Sequence, residues 1–248
     1  LSIRRQRQMC IRDSYNTPNE LRNSTYYIKE VDDINATRML RYTLRVSPGV
    51  PRLDDDESAA HFRSIEYYNS YLSTHTPRSI DYIGRALDFM TLRDYASALR
   101  DINRALELTP DIAIGYYLRA QAVYHQWQSG TAVADDDARN DAASRAMISR
   151  KQLDDVLADI DRMLQLSPRM AEGWYNKAVA HIAAGDYTSA LAALNRVIEI
   201  KPEMGEAWYN RGYIYLKLGN ERMGISDLSR AGQLGIVPAY NLIKRITR

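Results

Sequence analysis

The residues best suited to chemistry are few and badly spaced for it. His61, His75, His125 and His181 never fall at a metal-ligand spacing, and Cys10 has no second cysteine to join it. No glycine-rich phosphate loop occurs. The acidic run Asp54-Asp55-Asp56-Glu57 lacks the glycine and alternating ligand positions of a calcium loop. It reads instead as the start of a helix, where carboxylates accept backbone N–H groups and meet the positive end of the dipole. Other carboxylates are abundant, but on helices they are mainly solvated faces and caps, and pairing two as acid and base would be arbitrary. The expectation is a non-catalytic chain with no metal and no cofactor.

What the sequence does contain is a period. Trp174-Tyr175-Asn176 returns as Trp208-Tyr209-Asn210, and the same step of 34 residues carries Pro168 to Pro202, Gly185 to Gly219 and Leu194 to Leu228. Units of that length are helix pairs that cannot bury an apolar face alone and must stack. Small residues stand four and sixteen positions after each tryptophan (Ala178 and Ala190, Gly212 and Gly224), and a proline closes the second helix. On these residues the chain resembles the tetratricopeptide repeat. Tyr82, Ala86, Phe89, Tyr95, Ala98, Ile102, Ala105 and Pro110 fill the same slots in an earlier unit. Another unit begins at Ile114 and Tyr116, has Ala120 in its small slot, and ends at Ile160, Met163 and Pro168.

Four repeats follow, at 79–112, 113–170, 171–204 and 205–238, the second lengthened by 24 residues. The expected fold is all-α, a solenoid of four helix pairs with capping helices within 51–248 and a short extended or β segment before it. Asp94, Asp186 and Asn220 suit N-caps of second helices, with Gly185 and Gly219 giving left-handed turns before them. Thr76 and Pro77 are read as the N-cap and first position of the first array helix. Before it, Phe62, Ile65, Tyr68 and Leu72 form the buried stripe of a capping helix. In the insertion, about 128–149, Ser129 to Asp137 is polar, and from about Ala138 an Ala-rich stretch extends the next helix backward. Gly232 and Gly235 loosen the exit. A final cap at 238–248 uses Tyr240, Leu242, Ile243 and Ile246 to cover the last pair.

Residues 15–50 lose the helical period. Leu40, Tyr42, Leu44 and Val46 alternate with polar residues, as in a half-buried strand, and Tyr26, Ile28 and Val31 suit a partner. This region reads as the remnant of a truncated β-rich domain followed by the linker Ser47-Pro48-Gly49-Val50-Pro51. Residues 8–14 correspond to a translated transposon end used to fragment DNA for sequencing, so 1–14 are expected to be a non-native tail on a fragment of a longer, bacterial chain. Recovery of Met9 to Ser14 from independently prepared libraries would refute that. The formal charge of +2 then owes much to Arg4, Arg5, Arg7 and Arg12 and gives no footprint for nucleic acid. No apolar run reaches the roughly 18 residues of a membrane helix.

Resemblance to the family implies that the first helix of each pair lines a concave face. Stepping from one residue after each anchor, that face comprises Ile83, Leu87 and Met90, then Tyr117, Gln121 and Tyr124, then Tyr175, Val179 and Ile182, then Tyr209, Tyr213 and Leu216. It is expected to be an open, tyrosine-rich hollow for a peptide or helix from a protein partner, with Asn176 and Asn210 binding its backbone. Arg85, Arg119, Lys177 and Arg211 recur three residues after the anchors and are read as packed stems with heads in water. The leading function is a protein-interaction scaffold. The alternative is an accessory region of a larger envelope protein or enzyme whose own N-terminal domain fills the groove. An exported or envelope location is favoured over the cytoplasm.

Overall fold

The computed structural model describes residues 53–128 and 142–246, all within one compact unit, Leu44–Arg248. The expected strand region, the adapter-like tail and the polar part of the insertion lie outside the described residues. Among those described, every regular element is a helix. In order they are α1 Asp55–Thr74, α2 Ser79–Thr91, α3 Tyr95–Leu108, α4 Ala113–Gln128, α5 Ala142–Leu166, α6 Ala171–Ala184, α7 Tyr187–Ile200, α8 Gly205–Lys217, α9 Glu221–Gln233 and α10 Val237–Ile246.

The pairs α2/α3, α4/α5, α6/α7 and α8/α9 fall within the four repeats. Each helix packs on the one before and the one after it, more extensively inside a pair than between pairs. The periodic residues have mechanical reasons. Trp174 Nε1 donates to the Pro168 carbonyl at 2.9 Å and Trp208 Nε1 to that of Pro202 at 2.8 Å. Tyr116 makes the same tie through its hydroxyl to the Pro110 carbonyl at 2.9 Å. An anchor six residues beyond the closing proline thus pins α4, α6 and α8 to the end of the preceding pair.

The small slots are where helices meet. Ala86, Ala98, Ala178 and Ala190 are fully buried. In the last pair the approach is tighter still: a Cβ on Gly212 would stand 2.9 Å from the Gly224 carbonyl oxygen, which is backbone and has no freedom to yield. Caps fall largely where sequence puts them. Asp94, Asp186 and Asn220 accept from the backbone N–H groups of Ser97, Ser189 and Met223 at 3.0, 3.0 and 3.2 Å. Gly185 and Gly219 are left-handed at φ 77° and 80°, and Arg93 holds that slot in the first repeat at 64°.

Three expectations need correction. First, α2 starts at Ser79, after the Thr76-Pro77 step, because Asp81 reaches back to the Arg78 backbone N–H at 3.0 Å and pairs with its guanidinium at 2.7 Å. Second, Phe62 is not in the buried stripe of α1; it is 58% exposed. His61 Nδ1 and Ser64 Oγ both bond the buried Asp88 carboxylate, at 2.8 and 2.6 Å, and this rolls α1 so that positions 61, 64, 65 and 68 face the array. Third, Gly232 does not loosen the exit: it makes room for the Tyr240 ring, which a Cβ there would meet at 2.5 Å. The lengthened helix of the second repeat is described over the 25 residues of α5, and its expected extension back to about Ala138 lies outside the described residues. At the end of the chain, Leu242, Ile243 and Ile246 pack with Trp208, Tyr209 and Leu216 around Leu228, Ala231 and Ala239, as a cap should.

Candidate protein-binding surface

The helices α2, α4, α6 and α8 carry the residues expected to line the hollow. Their exposure is graded along the array. Tyr117, Gln121, Tyr124, Tyr175, Asn176, Val179 and Asn210 are all buried, from 0% to 4% exposed. Ile83, Leu87 and Met90 are buried as well. Ile182, Tyr209, Tyr213 and Leu216 are half-buried. An open hollow therefore describes only the last part of this face. Asn210 lies in a seam between units: its Nδ2 donates to the Tyr175 hydroxyl at 3.0 Å, joining α8 to α6.

At the α4 end the aromatic residues engage one another. Tyr124 lies 5.4 Å from Trp127 between ring centres, and His125 stacks on Tyr95 at 5.6 Å. Burial, helped by nearby Arg93, lowers the His125 pKa to about 4, so the ring is neutral at ordinary pH. His181 is half-buried near Asp186 at 3.4 Å, and burial also lowers its pKa. Among the described residues no cluster of three or more His, Cys, Asp or Glu is placed to hold a metal.

Gln121 stands apart. It is fully buried, and neither its Nε2 nor its Oε1 has a hydrogen-bond partner among the described residues. A buried amide in that state costs about 1–3 kcal/mol.

The cationic slot proved more organised than its sequence reading. Arg85 grips Asp101 through two bonds of 2.7 and 2.6 Å, Arg119 grips Asp159 at 2.8 and 2.6 Å, and Arg211 grips Asp227 at 2.7 and 3.0 Å. A third nitrogen of each reaches back to an asparagine on the preceding helix, Asn69, Asn103 or Asn195. The heads are therefore staples and do not float in water. The signal was present in the sequence as an aspartate 16 residues after Arg85 and Arg211, and 40 after Arg119 across the insertion. In the third repeat the scheme changes: Ala193 stands in the aspartate position, and Lys177 bonds Asp161 on the preceding helix at 2.6 Å.

A stack of helix pairs with staples at each joint and an aromatic inner face defines a helical-repeat protein of the interaction class. Three models of the tetratricopeptide repeat match it, at residues 83–148, 144–207 and 205–231, together spanning more than half of the chain. The chain belongs to the tetratricopeptide-repeat family. Among solved structures it is similar to a crystal structure of MamA, at 17% identity and a TM-score of 0.57 over 76% of this chain and 98% of that one. It is also similar to MamA 41-end from Desulfovibrio magneticus RS-1, at 12% identity and 0.57 over 83% and 93%. TTC0263, a thermophilic repeat protein of Thermus thermophilus, is similar at 14% identity and 0.56 over 75% and 90%. At such identities the likeness is one of fold alone. No curated protein matches the chain. Proteins of this family are in general non-catalytic scaffolds, and the fold here is that of a protein-interaction scaffold.

Proposed function

We propose that this chain is a non-catalytic scaffold that receives an extended segment of a protein partner along the inner face of α4, α6 and α8. The observation that carries the reading is Gln121. A main-chain amide offers one donor and one acceptor, which is what an unpaired glutamine side chain lacks, so a peptide backbone that entered by parting the side chains over the fully buried Gln121 would relieve it. Tyr209 and Tyr213, half-buried on α8, add aromatic contact area with a polar tip farther along the same face.

Selection of a displayed random-peptide library on the full chain tests this. Apolar and aromatic sequences should be enriched. Their binding should fall in Tyr209→Ala/Tyr213→Ala and in Gln121→Leu, and Gln121→Leu should also melt no lower than the parent, since it removes an unpaired buried amide. No enrichment, or binding indifferent to all three substitutions, refutes the proposal.

A second reading is favoured by the burial of Tyr117, Tyr124 and Tyr175 at 0%, 3% and 2%. In it the face is occupied by another part of the same polypeptide, and the array is an accessory region, with an envelope location as its setting. Tyr213→Ala, at a half-buried position of the same face, separates the two. Loss of peptide binding with little change in melting supports the scaffold, whereas loss of melting temperature alone supports internal occupancy.

A further inference from the structure

The two ends of the array differ in a way that makes them complementary. At the C-terminal end, Tyr213, Leu216 and Lys217 of α8, Glu221 of α9, and Leu242 and Ile246 of α10 line a hollow of about 330 Å³. Its floor is apolar. Lys217 rests 5.6 Å from the Tyr213 ring. Arg222 follows Glu221 on the first turn of α9, and Lys244 and Arg245 lie in the turn that joins Leu242 to Ile246; all three are exposed. None of these four cations has an ion pair among the described residues, and Glu221 is the one carboxylate lining the hollow. Leu218 and Met223, 56% and 44% exposed, extend the apolar surface beside it.

At the other end, α1 opens with Asp54, Asp55, Asp56 and Glu57, all exposed. Asp55, Ala59, Phe62 and Glu66 share one stripe by helical spacing, turned away from the Ile65 and Tyr68 side that packs on α2. Phe62 at 58% exposure is thus an apolar knob with carboxylates before and after it on the same face. The hollow is apolar with cations around it. From this pairing we infer that the C-terminal hollow of one molecule receives the α1 face of a second copy of this chain, Phe62 entering between Leu216 and Leu242 while the acidic first turn meets Lys217, Arg222 and Arg245.

Such a contact uses different surfaces on the two partners. Growth is head to tail, with one α1 and one hollow left free on every assembly that does not close into a ring. Charge brings the ends together and makes association sensitive to salt, because exposed pairs are screened within about 10 Å at 0.1 M.

Sedimentation velocity of the full chain, compared at low and high salt, is the first measurement. Association that rises with concentration and falls with salt is expected, and a monomer at every concentration at low salt overturns the inference. Two variants then fix the geometry, a head variant, Asp55→Lys with Phe62→Ala, and a tail variant, Lys217→Glu with Arg222→Glu. All four positions are exposed, so folding should be kept, and circular dichroism verifies it. Each variant alone should associate at least about tenfold more weakly. Mixed, the intact α1 of the tail variant should enter the intact hollow of the head variant, giving a dimer and nothing larger. Parent-like association of either variant alone, or no complementation on mixing, overturns the assignment whether or not the inner face binds peptides.

Discussion

Single residues set the turns, and their costs are separable from packing. Gly185 ends α6 at φ 77° with nothing within 4 Å of where a Cβ would stand. Gly185→Ala therefore meets no steric neighbour, and only the left-handed backbone resists it. A loss of about 1 kcal/mol in urea unfolding is expected, with an unchanged slope; an alanine variant as stable as the parent would contradict the turn. Local features of this kind were legible in sequence because a cap or a glycine turn depends on a few adjacent residues. Arg93 was not, since an arginine gives no local sign that its φ is positive. His125 carries the pH dependence. Its folded pKa of about 4 lies below the ordinary 6.5, so the unfolded chain binds more protons between those values. The stability it contributes is whole above pH 6.5 and is lost as pH falls toward 4, by at most about 3 kcal/mol and less in proportion to its partial exposure. His125→Phe should flatten that part of a stability profile, leaving the smaller slope due to His181. An unaltered profile would show that the ring is solvated.

Between elements, the staples decide which joints are strong. Arg211 reaches forward to Asp227 on its own partner helix and back to Asn195 on the preceding one, so one guanidinium ties three helices. Asp227→Ala leaves that charge half-buried without its carboxylate and should cost about 2–3 kcal/mol, toward the lower end of what losing one partner of a buried pair costs. Asp161 is half-exposed, its side chain 49% accessible, and Lys177 holds it by one bond. Asp161→Asn should cost under about 1 kcal/mol. Equal losses at the two positions, measured by chemical denaturation, would mean that the arginine fork contributes nothing beyond a surface pair. The helices themselves were legible because the 34-residue step repeats anchors, small slots and prolines together. Exposure of the inner face was not legible. Spacing places Tyr117 and Tyr175 on that face, but burial depends on everything that packs against it, and no periodicity encodes that. Phe62 failed for a related reason: four apolar residues define a stripe, and the bonds of His61 and Ser64 to Asp88 decide how the stripe is turned.

At the scale of the molecule, each helix pair leans only on its neighbours, so stability should be a sum of unit and interface contributions and damage should spread a short way. The C-terminal end offers the cleanest test. Helix α10 covers Trp208, Tyr209 and Leu216 around Leu228 and Ala231, and it belongs to no repeat. A chain ending at Ile236 would uncover that cluster while leaving every staple in place. Hydrogen exchange should then quicken by roughly tenfold or more in α8 and α9, less in α6 and α7, and not measurably in α2 and α3. The reason is distance along the stack: among the described residues α9 packs most extensively on α10, and each further interface dilutes the loss. Exchange that quickened equally from α2 to α9 would show a single cooperative core, and the one-dimensional account of this array would have to be abandoned.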